Sequence, residues 1–417
     1  MKILIKNVIL DGKRKDVFIR GEKIAEIGQN LNFKADQKID GKGEKAILPG
    51  FINCHCHSSM VLFRGIADDF PLKEWLEKKI WPLEEKLTQD DVYWGTKLAC
   101  LEMIKSGTTS FNEMYFYPQA QIEAIKAIGM RAIIGLVVVD ISLKGCTREN
   151  AEKNFQELKN KIPSTIKLAL APHAIYTVSK DNLIWVRNFA EKNHLLIHMH
   201  LAETEWEGEY SLKKYKLRPV EFLEKIGFLG KNCLFAHSIW LSEKEIEILA
   251  KRKPHLIYNP SSNLKLASGI FPYKKIKEKK INICLGTDGP ASNNSLDMTR
   301  EIKIASLLQK GIEKDPKIFN KKEALKILTE NGTKALQIKA GKIKEGYLAD
   351  LILIDLNKIY FKPGHNFLSD LIYSASGDCV SDLICDGKIL MRDRKIEGEE
   401  KIIKETNKIA QKLSSFK

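Results

Sequence analysis

Runs of alternating apolar and polar residues, each bounded by turn residues, occupy both ends of the 417-residue chain. Such alternation is typical of short, half-buried β-strands. The runs cover residues 2–10, 16–20, 23–27, 346–355, 382–385 and 388–391. Asp386-Gly387 separates the last two runs and favours a two-residue hairpin. We therefore predict that residues 1–49 and 346–417 join as a small composite β-sandwich domain, with an amphipathic helix at about 399–413 ending the chain.

The central residues, 50–345, follow a different pattern. Eight short apolar runs occur in or at the start of this region, and each precedes a segment with helical periodicity. The runs cover residues 46–57, 107–114, 131–140, 165–174, 195–204, 233–241, 255–263 and 282–290. Eight β-then-α units indicate an α/β fold, a (β/α)8 TIM-type barrel. A doubly wound sheet is the alternative, but no Gly-x-Gly-x-x-Gly turn follows any run.

Polar residues suited to chemistry lie where the predicted barrel strands end. They are His55, His57, His173, His200, His237, Asn259 and Asp288. Barrel enzymes carry their active sites at the carboxyl ends of the strands. Because these ends meet at one mouth of the barrel, we expect the side chains to lie close together there.

Four of these residues, His55, His57, His200 and Asp288, are predicted to bind one divalent metal ion. His55 and His57 lie two apart on a strand, so both side chains project from the same face. The pair alone is weak evidence, but the other two complete a mixed nitrogen and oxygen set. That set suits Zn²⁺, with Fe²⁺ or Mn²⁺ as alternatives. The ion would lower the pKa of a bound water from about 15.7 towards 7.

Three residues are candidates for proton transfer at the same mouth. Glu203 follows His200 by three residues, and a carboxylate there can shuttle a proton to a substrate nitrogen. His237 is placed to hydrogen-bond the attacking water, and Asp288 can both contact the ion and accept the water's proton. The alternatives are a loop carboxylate at a helix start for Glu203 and a hydrogen-bonded core histidine for His237.

The bulk composition argues against several classes of protein. Hydrophobic residues make up 44% of the chain, and no apolar run approaches membrane-spanning length. The N-terminal apolar run is too short for a signal peptide, so we expect a cytoplasmic protein with no membrane partner. The formal net charge is +15. Its lysines are dispersed and lack interleaved aromatic residues, which favours a solvated surface over a nucleic-acid interface.

The eight cysteines lie mostly in apolar stretches and are expected to be buried thiols in a reducing compartment. Cys54 and Cys56 alternate with His55 and His57, so we expect them on the opposite face of that strand. A thiolate metal site at these two cysteines is the alternative.

Several motifs together resemble those of the amidohydrolase superfamily across essentially the whole chain. They are PGFINCHCH at 49–57, HMHLAET at 198–204, AH at 236–237, GTDG at 286–289, SASG at 374–377 and DGK at 386–388. Four further motifs are similar to the 5′-methylthioadenosine/S-adenosylhomocysteine deaminase branch of that superfamily. They are WPLE at 81–84, APH at 171–173, NPSSN at 259–263 and GPASNN at 289–294.

The resemblance implies hydrolytic deamination of adenine nucleosides to the inosine form, with release of ammonia. Glu84 and His173 would bind the nucleoside, and Arg148 would meet an amino-acid tail. Glu203 would protonate the purine ring, with Asp288 beside it, and Trp75 would line the substrate cleft. The partners implied are a nucleoside, water and a second copy of the chain in a homo-oligomer. From the residues alone, a surface charge is the default interpretation of Glu84 and a helix-start position that of Arg148, and core burial is the alternative for Trp75.

One departure from the branch concerns the third strand. Some members have a further arginine near its end, which helps to bind the amino-acid tail of the substrate. Residues 135–139, GLVVV, supply none, so binding of the homocysteine carboxylate is in question. Two other functions remain open, the first of them on the same metal site. One is a triazine-type chlorohydrolase or a free-base deaminase of the guanine type, which a ribose-binding Glu84 argues against. The other is a non-catalytic scaffold barrel, which the complete set of ligands argues against.

Overall fold

The computed structural model describes residues 1–140 and 145–414. Its first five strands all belong to one mixed sheet. They are β1 (Lys2–Leu10), β2 (Lys13–Arg20), β3 (Lys23–Gly28), β4 (Gln37–Asp40) and β5 (Lys45–Pro49). The apolar pattern does not predict β4, because Ile39 is its one buried residue and the strand is held by parallel pairing to β1.

Eight parallel strands follow and form a nearly closed barrel in chain order, which confirms the predicted (β/α)8 fold. They are β6 (Phe51–Cys56), β7 (Thr108–Met114), β8 (Arg131–Val138), β9 (Ile166–Pro172), β10 (Leu196–Leu201), β11 (Cys233–His237), β12 (His255–Tyr258) and β13 (Asn282–Leu285). The first and last strands meet at the mouth, where the Asp288 N–H donates to the His55 carbonyl at 3.0 Å. This hydrogen bond brings residues from the two ends of the barrel together.

The apolar run 46–57 is two strands rather than one. Lys45–Pro49 pairs antiparallel with a strand from the C-terminal end, whereas Phe51–Cys56 opens the barrel. Gly50 separates them, and a Cβ at this position would collide with the side chain of Thr109. Glycine is therefore required where the chain passes from one sheet to the other.

The C-terminal end adds three strands to the mixed sheet. They are β14 (Leu351–Asp355), β15 (Val380–Cys385) and β16 (Lys388–Met391). The sheet runs β16-β15-β14-β5-β1-β2-β3, with β4 beside β1, so both chain ends contribute to one unit as predicted. Asp386 and Gly387 have φ angles of 52° and 68°, the left-handed pair that a tight hairpin between β15 and β16 requires.

Helices surround the barrel and close the chain. They are α1 (Leu72–Glu74), α2 (Trp81–Glu84), α3 (Gln89–Lys105), α4 (Pro118–Ile128), α5 (Arg148–Leu158), α6 (Lys180–Lys192), α7 (Glu205–Tyr215), α8 (Pro219–Lys225), α9 (Glu243–Arg252), α10 (Pro260–Lys265), α11 (Tyr273–Glu278), α12 (Met298–Glu313), α13 (Lys321–Leu328), α14 (Glu330–Ala335), α15 (Phe367–Tyr373) and α16 (Glu399–Ser414). A π-helical turn, Trp75–Ile80, joins α1 to α2, and 3-10 turns cover Ser58–Phe63, Ile359–Phe361 and Gly377–Cys379. Among the described helices, none combines the length and the apolar character needed to span a bilayer.

The interior of the barrel is a packed apolar cluster drawn from seven of its eight strands. Its strand members are Ile52, Cys54, Ile133, Ala169, Leu196, Leu234, Ile257 and Cys284. Cys54 thus lies in the interior, while the thiol of Cys56 contacts Glu113 at 3.4 Å. The predicted shared face for Cys54 and Cys56 is wrong, because the pairing of β6 with β7 shifts register between Asn53 and Cys56. Burial raises the pKa of both thiols well above its usual value, so neither is a ready thiolate ligand.

A buried ion-pair network connects the barrel to the composite sheet. Arg131, at the start of β8, donates from Nε to Asp350 Oδ2 and from one terminal nitrogen to Asp386 Oδ1, each at 2.8 Å. Arg131 and Asp350 are both buried. The network therefore couples the folding of the barrel to that of the composite sheet. Removal of the arginine would leave buried carboxylates without their partner.

We expect Arg131→Met to lower the free energy of unfolding by about 3–5 kcal/mol, the usual cost of breaking a buried ion pair. Equilibrium urea unfolding measures this difference. Arg252→Met removes an arginine paired with Glu224 on the exposed surface and should leave the unfolding midpoint nearly unchanged. Equal effects of the two substitutions would contradict a coupling role for Arg131.

Candidate metal centre and active site

Two of the predicted ligands are oriented by main-chain carbonyl groups. His57 Nδ1 donates to the Met114 carbonyl at 2.6 Å, and His200 Nδ1 donates to the His173 carbonyl at 2.8 Å. A hydrogen bond at Nδ1 fixes the tautomer and leaves the Nε2 lone pair free for a metal. The two Nε2 atoms lie 3.3 Å apart. Both imidazoles therefore present a ligand atom to the same point.

His55, near the carboxyl end of β6, is oriented by another histidine. Its Nδ1 lies 2.8 Å from Nε2 of His198, which is one inward-facing position deeper on β10 than His200. The opposite nitrogen, Nε2, is buried and lies 3.2 Å from Asp288 Oδ1. Burial lowers the pKa of His55 to about 4, so its imidazole is neutral at neutral pH. A neutral imidazole nitrogen that faces a carboxylate in this position fits a metal ligand.

Asp288 provides the oxygen ligand from the loop after β13. Its Oδ2 accepts hydrogen bonds from Ser262 Oγ at 2.6 Å and Ser292 Oγ at 3.0 Å. Its Oδ1 lies 3.2 Å from Nε2 of both His55 and His57. Burial alone would raise the pKa of this carboxyl, but the two histidines hold it well below its usual value. Asp288 is therefore ionised, with one oxygen directed at the imidazoles.

His237 ends β11 on the far side of the same centre. Its Nδ1 donates to Asn263 Oδ1 at 2.8 Å, and its Nε2 lies 3.7 Å from Glu203 Oε2. Glu203 is buried at the start of the loop after β10, and burial raises the pKa of its carboxyl. A carboxyl group with a raised pKa beside an imidazole is suited to proton transfer. Glu203 does lie in the loop just before α7, as the alternative has it, but it is buried against the cluster and not exposed on the surface.

Five side chains thus surround one point, one more than the predicted ligand set. The ligand atoms of His55, His200, His237 and Asp288 all lie within 4.8 Å of one another. His57 belongs to the same group through its 3.2 Å and 3.3 Å contacts to Asp288 and His200. The site is a buried histidine and aspartate cluster that fits a divalent metal ion. The choice of His57 over His237 as a ligand stays a prediction.

A cavity of about 70 Å³ opens over this cluster. Its wall includes Trp75, Glu84, His173, Glu203, His237 and Asp288, together with Tyr115 and Tyr176. All six predicted residues in this group therefore face one space. The aromatic and aliphatic remainder of the wall is typical of a small-molecule site.

Glu84 and Trp75 reach the cavity from the helical segment α1–α2. Glu84 is buried, so the alternative of a surface charge is wrong. Burial raises the pKa of its carboxyl to about 7, against the opposing effect of the neighbouring Tyr115 hydroxyl. The Trp75 indole is also buried and donates from Nε1 to the Ala67 carbonyl at 3.1 Å. The π-helical turn lies between these two residues, a feature that often marks functional sites.

Arg148 is not brought to the cavity wall. It begins α5, and its guanidinium lies 5.1 Å from the centroid of the Trp185 ring. Residues 141–144, which connect β8 to this region, lie outside the described part of the chain. The predicted contact of Arg148 with a substrate tail therefore stays a prediction.

Sequence reasoning missed the residues that orient the site. Asn263, Ser262 and Ser292 hold His237 and Asp288, and Tyr115 lies beside Glu84. The NPSSN motif at 259–263 carried a signal for Asn263 and Ser262, because polar residues follow a barrel strand there. The GPASNN motif at 289–294 contains Ser292, whereas nothing in the sequence marks Tyr115 as close to Glu84.

Known proteins match this chain along nearly its whole length. A 5′-deoxyadenosine deaminase from Methanocaldococcus jannaschii is 44% identical over 99% of this chain and 100% of its own. A 5-methylthioadenosine/S-adenosylhomocysteine deaminase from Dictyoglomus turgidum is 46% identical over 98% of both chains. The crystal structure of an adenosine deaminase from Xanthomonas campestris with bound zinc matches with a TM-score of 0.94 and 31% identity, over 99% of this chain and 98% of that one.

The family model described as the amidohydrolase family matches residues 46–390. That span covers the whole barrel and the C-terminal strands of the composite sheet. Together with the full-length relatives, it shows that the chain belongs to the amidohydrolase family.

Proposed function

We propose that this protein is a metal-dependent hydrolase that deaminates adenine nucleosides. Water adds to C6 of the purine, the C6–N bond breaks, and ammonia and the inosine form are released. The observation that carries the proposal is the buried cluster of imidazoles and Asp288, with Glu203 and His237 beside it in one cavity. The relatives named as nucleoside deaminases support the same reaction.

His55, His57, His200 and Asp288 are the proposed metal ligands. The buried Nε2 of His55, which faces Asp288, and the fixed tautomers of His57 and His200 support this set. When bound, a divalent ion such as Zn²⁺ supplies Lewis acidity that makes water acidic enough to ionise near neutral pH. His237 is left as a hydrogen-bonding group, because its Nε2 faces Glu203 as well as the cluster.

Glu203 and His237 manage the protons of the reaction. Burial raises the pKa of the Glu203 carboxyl, which favours its protonated form, and that form can donate to the purine ring nitrogen as water attacks. The ionised Glu203 then takes the proton of the hydroxyl at C6 as the carbonyl forms, while Asp288 gives the proton that it accepted from water to the departing amino group. His237, held by Asn263, orients the attacking water through Nε2. Asp288 accepts the proton of that water, since Ser262 and Ser292 leave its Oδ1 facing the centre.

Glu84 and His173 hold the nucleoside above the cluster. A buried carboxylate at Glu84 can accept charge-assisted hydrogen bonds from both ribose hydroxyls. His173 Nδ1 lies 2.9 Å from Thr177 Oγ1, which orients the ring so that its other nitrogen faces the cavity. Trp75 provides an apolar surface for the base. The ribose-facing position of Glu84 favours nucleosides over free bases and triazines.

The cavity favours small, uncharged groups at the ribose 5′ position. Val137 and Val139 form its wall at the end of β8, and no lysine or arginine lines it within the described residues. Arg148 instead packs on Trp185. A carboxylate tail would lose water without gaining a cationic partner in this wall. We therefore place 5′-deoxyadenosine and methylthioadenosine ahead of S-adenosylhomocysteine as substrates.

The function is tested with zinc-loaded protein and four nucleosides: 5′-deoxyadenosine, methylthioadenosine, adenosine and S-adenosylhomocysteine. We expect ammonia release and an ultraviolet shift towards the inosine form, with kcat/KM for the first two at least about tenfold above that for S-adenosylhomocysteine. A tenfold ratio corresponds to about 1.4 kcal/mol, less than the usual cost of an unpaired buried charge. Failure to turn over any of the four would end the proposal.

The ligand set is tested by metal analysis of three variants. We expect about one zinc per chain in the parent protein and less than about 0.1 in His57→Ala and His200→Ala, because each removes a ligand from a four-ligand site. His237→Ala should retain zinc but lose activity. Inductively coupled plasma mass spectrometry gives the stoichiometry. Retention of zinc by His57→Ala with loss from His237→Ala would replace His57 by His237 in the set.

The role of Glu84 separates the nucleoside deaminase from a free-base deaminase or a triazine hydrolase. We expect Glu84→Gln to raise KM for 5′-deoxyadenosine by about 10- to 100-fold, because two charge-assisted hydrogen bonds to the ribose become neutral ones. Steady-state kinetics with adenine and guanine, which lack ribose, provide the comparison. Unchanged kinetics on nucleosides would favour the alternative functions.

A further inference from the structure

Glu207 is a buried carboxylate that the proposed reaction does not use. It lies in the first turn of α7, four residues after Glu203, and its side chain is fully buried. Its Oε1 accepts a hydrogen bond from the Ala202 N–H at 2.9 Å, and its Oε2 accepts one from the Glu203 N–H at 3.1 Å. Both oxygens therefore bind the two consecutive peptide groups that carry Glu203.

The backbone held by Glu207 is in an unfavourable conformation. Ala202 has a φ of 49°, in the left-handed region that residues with a Cβ avoid. Such strain persists only where surrounding contacts hold the conformation in place. The left-handed turn redirects the chain after β10, so that the next residue, Glu203, points into the cavity. The Glu207 carboxylate supplies the contacts on the N–H side of this turn.

The same turn is connected to the loop that carries His237. The Ala202 carbonyl accepts hydrogen bonds from the N–H groups of Ile239 and Trp240, each at 2.9 Å. His237 itself has a left-handed φ of 69°. The 3.7 Å separation of Glu203 Oε2 from His237 Nε2 thus depends on one peptide unit held at both ends.

We propose that Glu207 is a positioning residue for the proton-transferring pair Glu203 and His237. The proposal rests on the deaminase function above, in which these two residues handle protons. A carboxyl group carries two oxygens, and each accepts from one of the two N–H groups. Burial raises the pKa of the Glu207 carboxyl to about 8, and these two hydrogen bonds oppose that effect. A glutamine would direct its NH2 group at one of the two N–H donors, which breaks that hydrogen bond. The turn would then relax, and Glu203 would shift relative to the purine nitrogen.

The chain offers a matched control for this substitution. Glu245 is also fully buried and also accepts from two main-chain groups, the Val220 N–H at 3.0 Å and the Ser242 N–H at 2.9 Å. It accepts in addition from Arg218 Nε at 2.7 Å, so its substitution removes at least as many contacts as that of Glu207. It fixes the starts of α8 and α9, and it is not part of the cavity wall. A loss of stability caused by any buried carboxylate would appear in both Glu207→Gln and Glu245→Gln.

The experiment compares both variants with the parent protein as zinc-loaded enzymes on 5′-deoxyadenosine. For Glu207→Gln we expect kcat per bound zinc to fall at least about tenfold, with KM within about twofold, because the substrate contacts are retained while proton transfer is misaligned. For Glu245→Gln we expect kcat per bound zinc to stay within about twofold of the parent value. An equal kcat in Glu207→Gln, or an equal loss in both variants, would overturn the positioning role.

Hydrogen–deuterium exchange provides a second measurement that does not need turnover. Amide exchange at residues 202 and 203 should be slow in the parent protein and at least about tenfold faster in Glu207→Gln, with exchange there unchanged in Glu245→Gln. If the parent enzyme deaminates no nucleoside, the proposed function fails, and the exchange data still decide whether Glu207 holds these amides. Unchanged exchange in Glu207→Gln would overturn the proposal whatever the activity.

Discussion

The orientation of the imidazoles depends on hydrogen bonds at their Nδ1 atoms. His57 and His200 each donate to a main-chain carbonyl, and His237 donates to an asparagine oxygen. Each of these bonds selects one tautomer and directs the Nε2 lone pair at the same point. Without them the rings would be free to rotate or to exchange tautomers, and the cluster would not offer a converging set of ligand atoms. The strands bring the imidazole rings together, but the hydrogen-bond partners of the Nδ1 atoms determine which nitrogen of each ring can bind a metal.

Main-chain strain accompanies this convergence. Ala202, His237, Ser238 and Asp288 all have φ angles between 49° and 69° although none is glycine. This backbone conformation is unfavourable for residues with a Cβ unless surrounding contacts hold it. Such residues concentrate where function requires a particular backbone direction. Hydrogen bonds between neighbouring strand ends hold them: the Ser238 N–H donates to the Leu201 carbonyl, and the Asp288 N–H to the His55 carbonyl. The ends of the barrel strands therefore act as one connected rim, not as separate loops.

Much of this architecture could be predicted from the sequence, because it depends on periodicity and on one general rule. Apolar runs followed by helical segments predict the barrel, and the rule that barrel chemistry lies at strand ends places His55, His200 and Asp288 at one mouth. The failures have local causes. The run 46–57 is uniformly apolar although a single close contact at Gly50 divides it, and strict alternation misplaced Cys54 because a register shift interrupts β6. Neither the close contact at Gly50 nor the register shift in β6 changes the order of polar and apolar residues in the sequence.

The residues that orient the site were harder to predict, for a different reason. Ser262 acts on Asp288 from 26 residues away, through a contact that exists only once β12 and β13 lie side by side. Ser292 acts from four residues away, but only if the loop after β13 turns its side chain towards Asp288. Glu207 resembles an ordinary acidic residue in the first turn of a helix, a position that acidic residues favour for helix-dipole reasons. Its function follows from burial and from the two N–H groups in front of it. Sequence patterns report which residue types are present, whereas these roles depend on which groups each side chain finally contacts.

Glu84 shows how such a burial can serve binding. The sequence places it in an acidic and basic helical run, yet the structure buries it in the cavity wall and raises the pKa of its carboxyl to about 7. Burial disfavours the carboxylate, and the nearby Tyr115 hydroxyl and the His57 imidazole oppose that effect. In the proposed complex two ribose hydroxyls would donate to the carboxylate and stabilise its ionised form, which lowers the pKa. Nucleoside binding would then be coupled to loss of a proton from Glu84, and a ligand without the diol would leave the pKa of this carboxyl raised. The unfavourable burial of Glu84 would thus help the site to select ligands that carry a ribose over ligands that lack one.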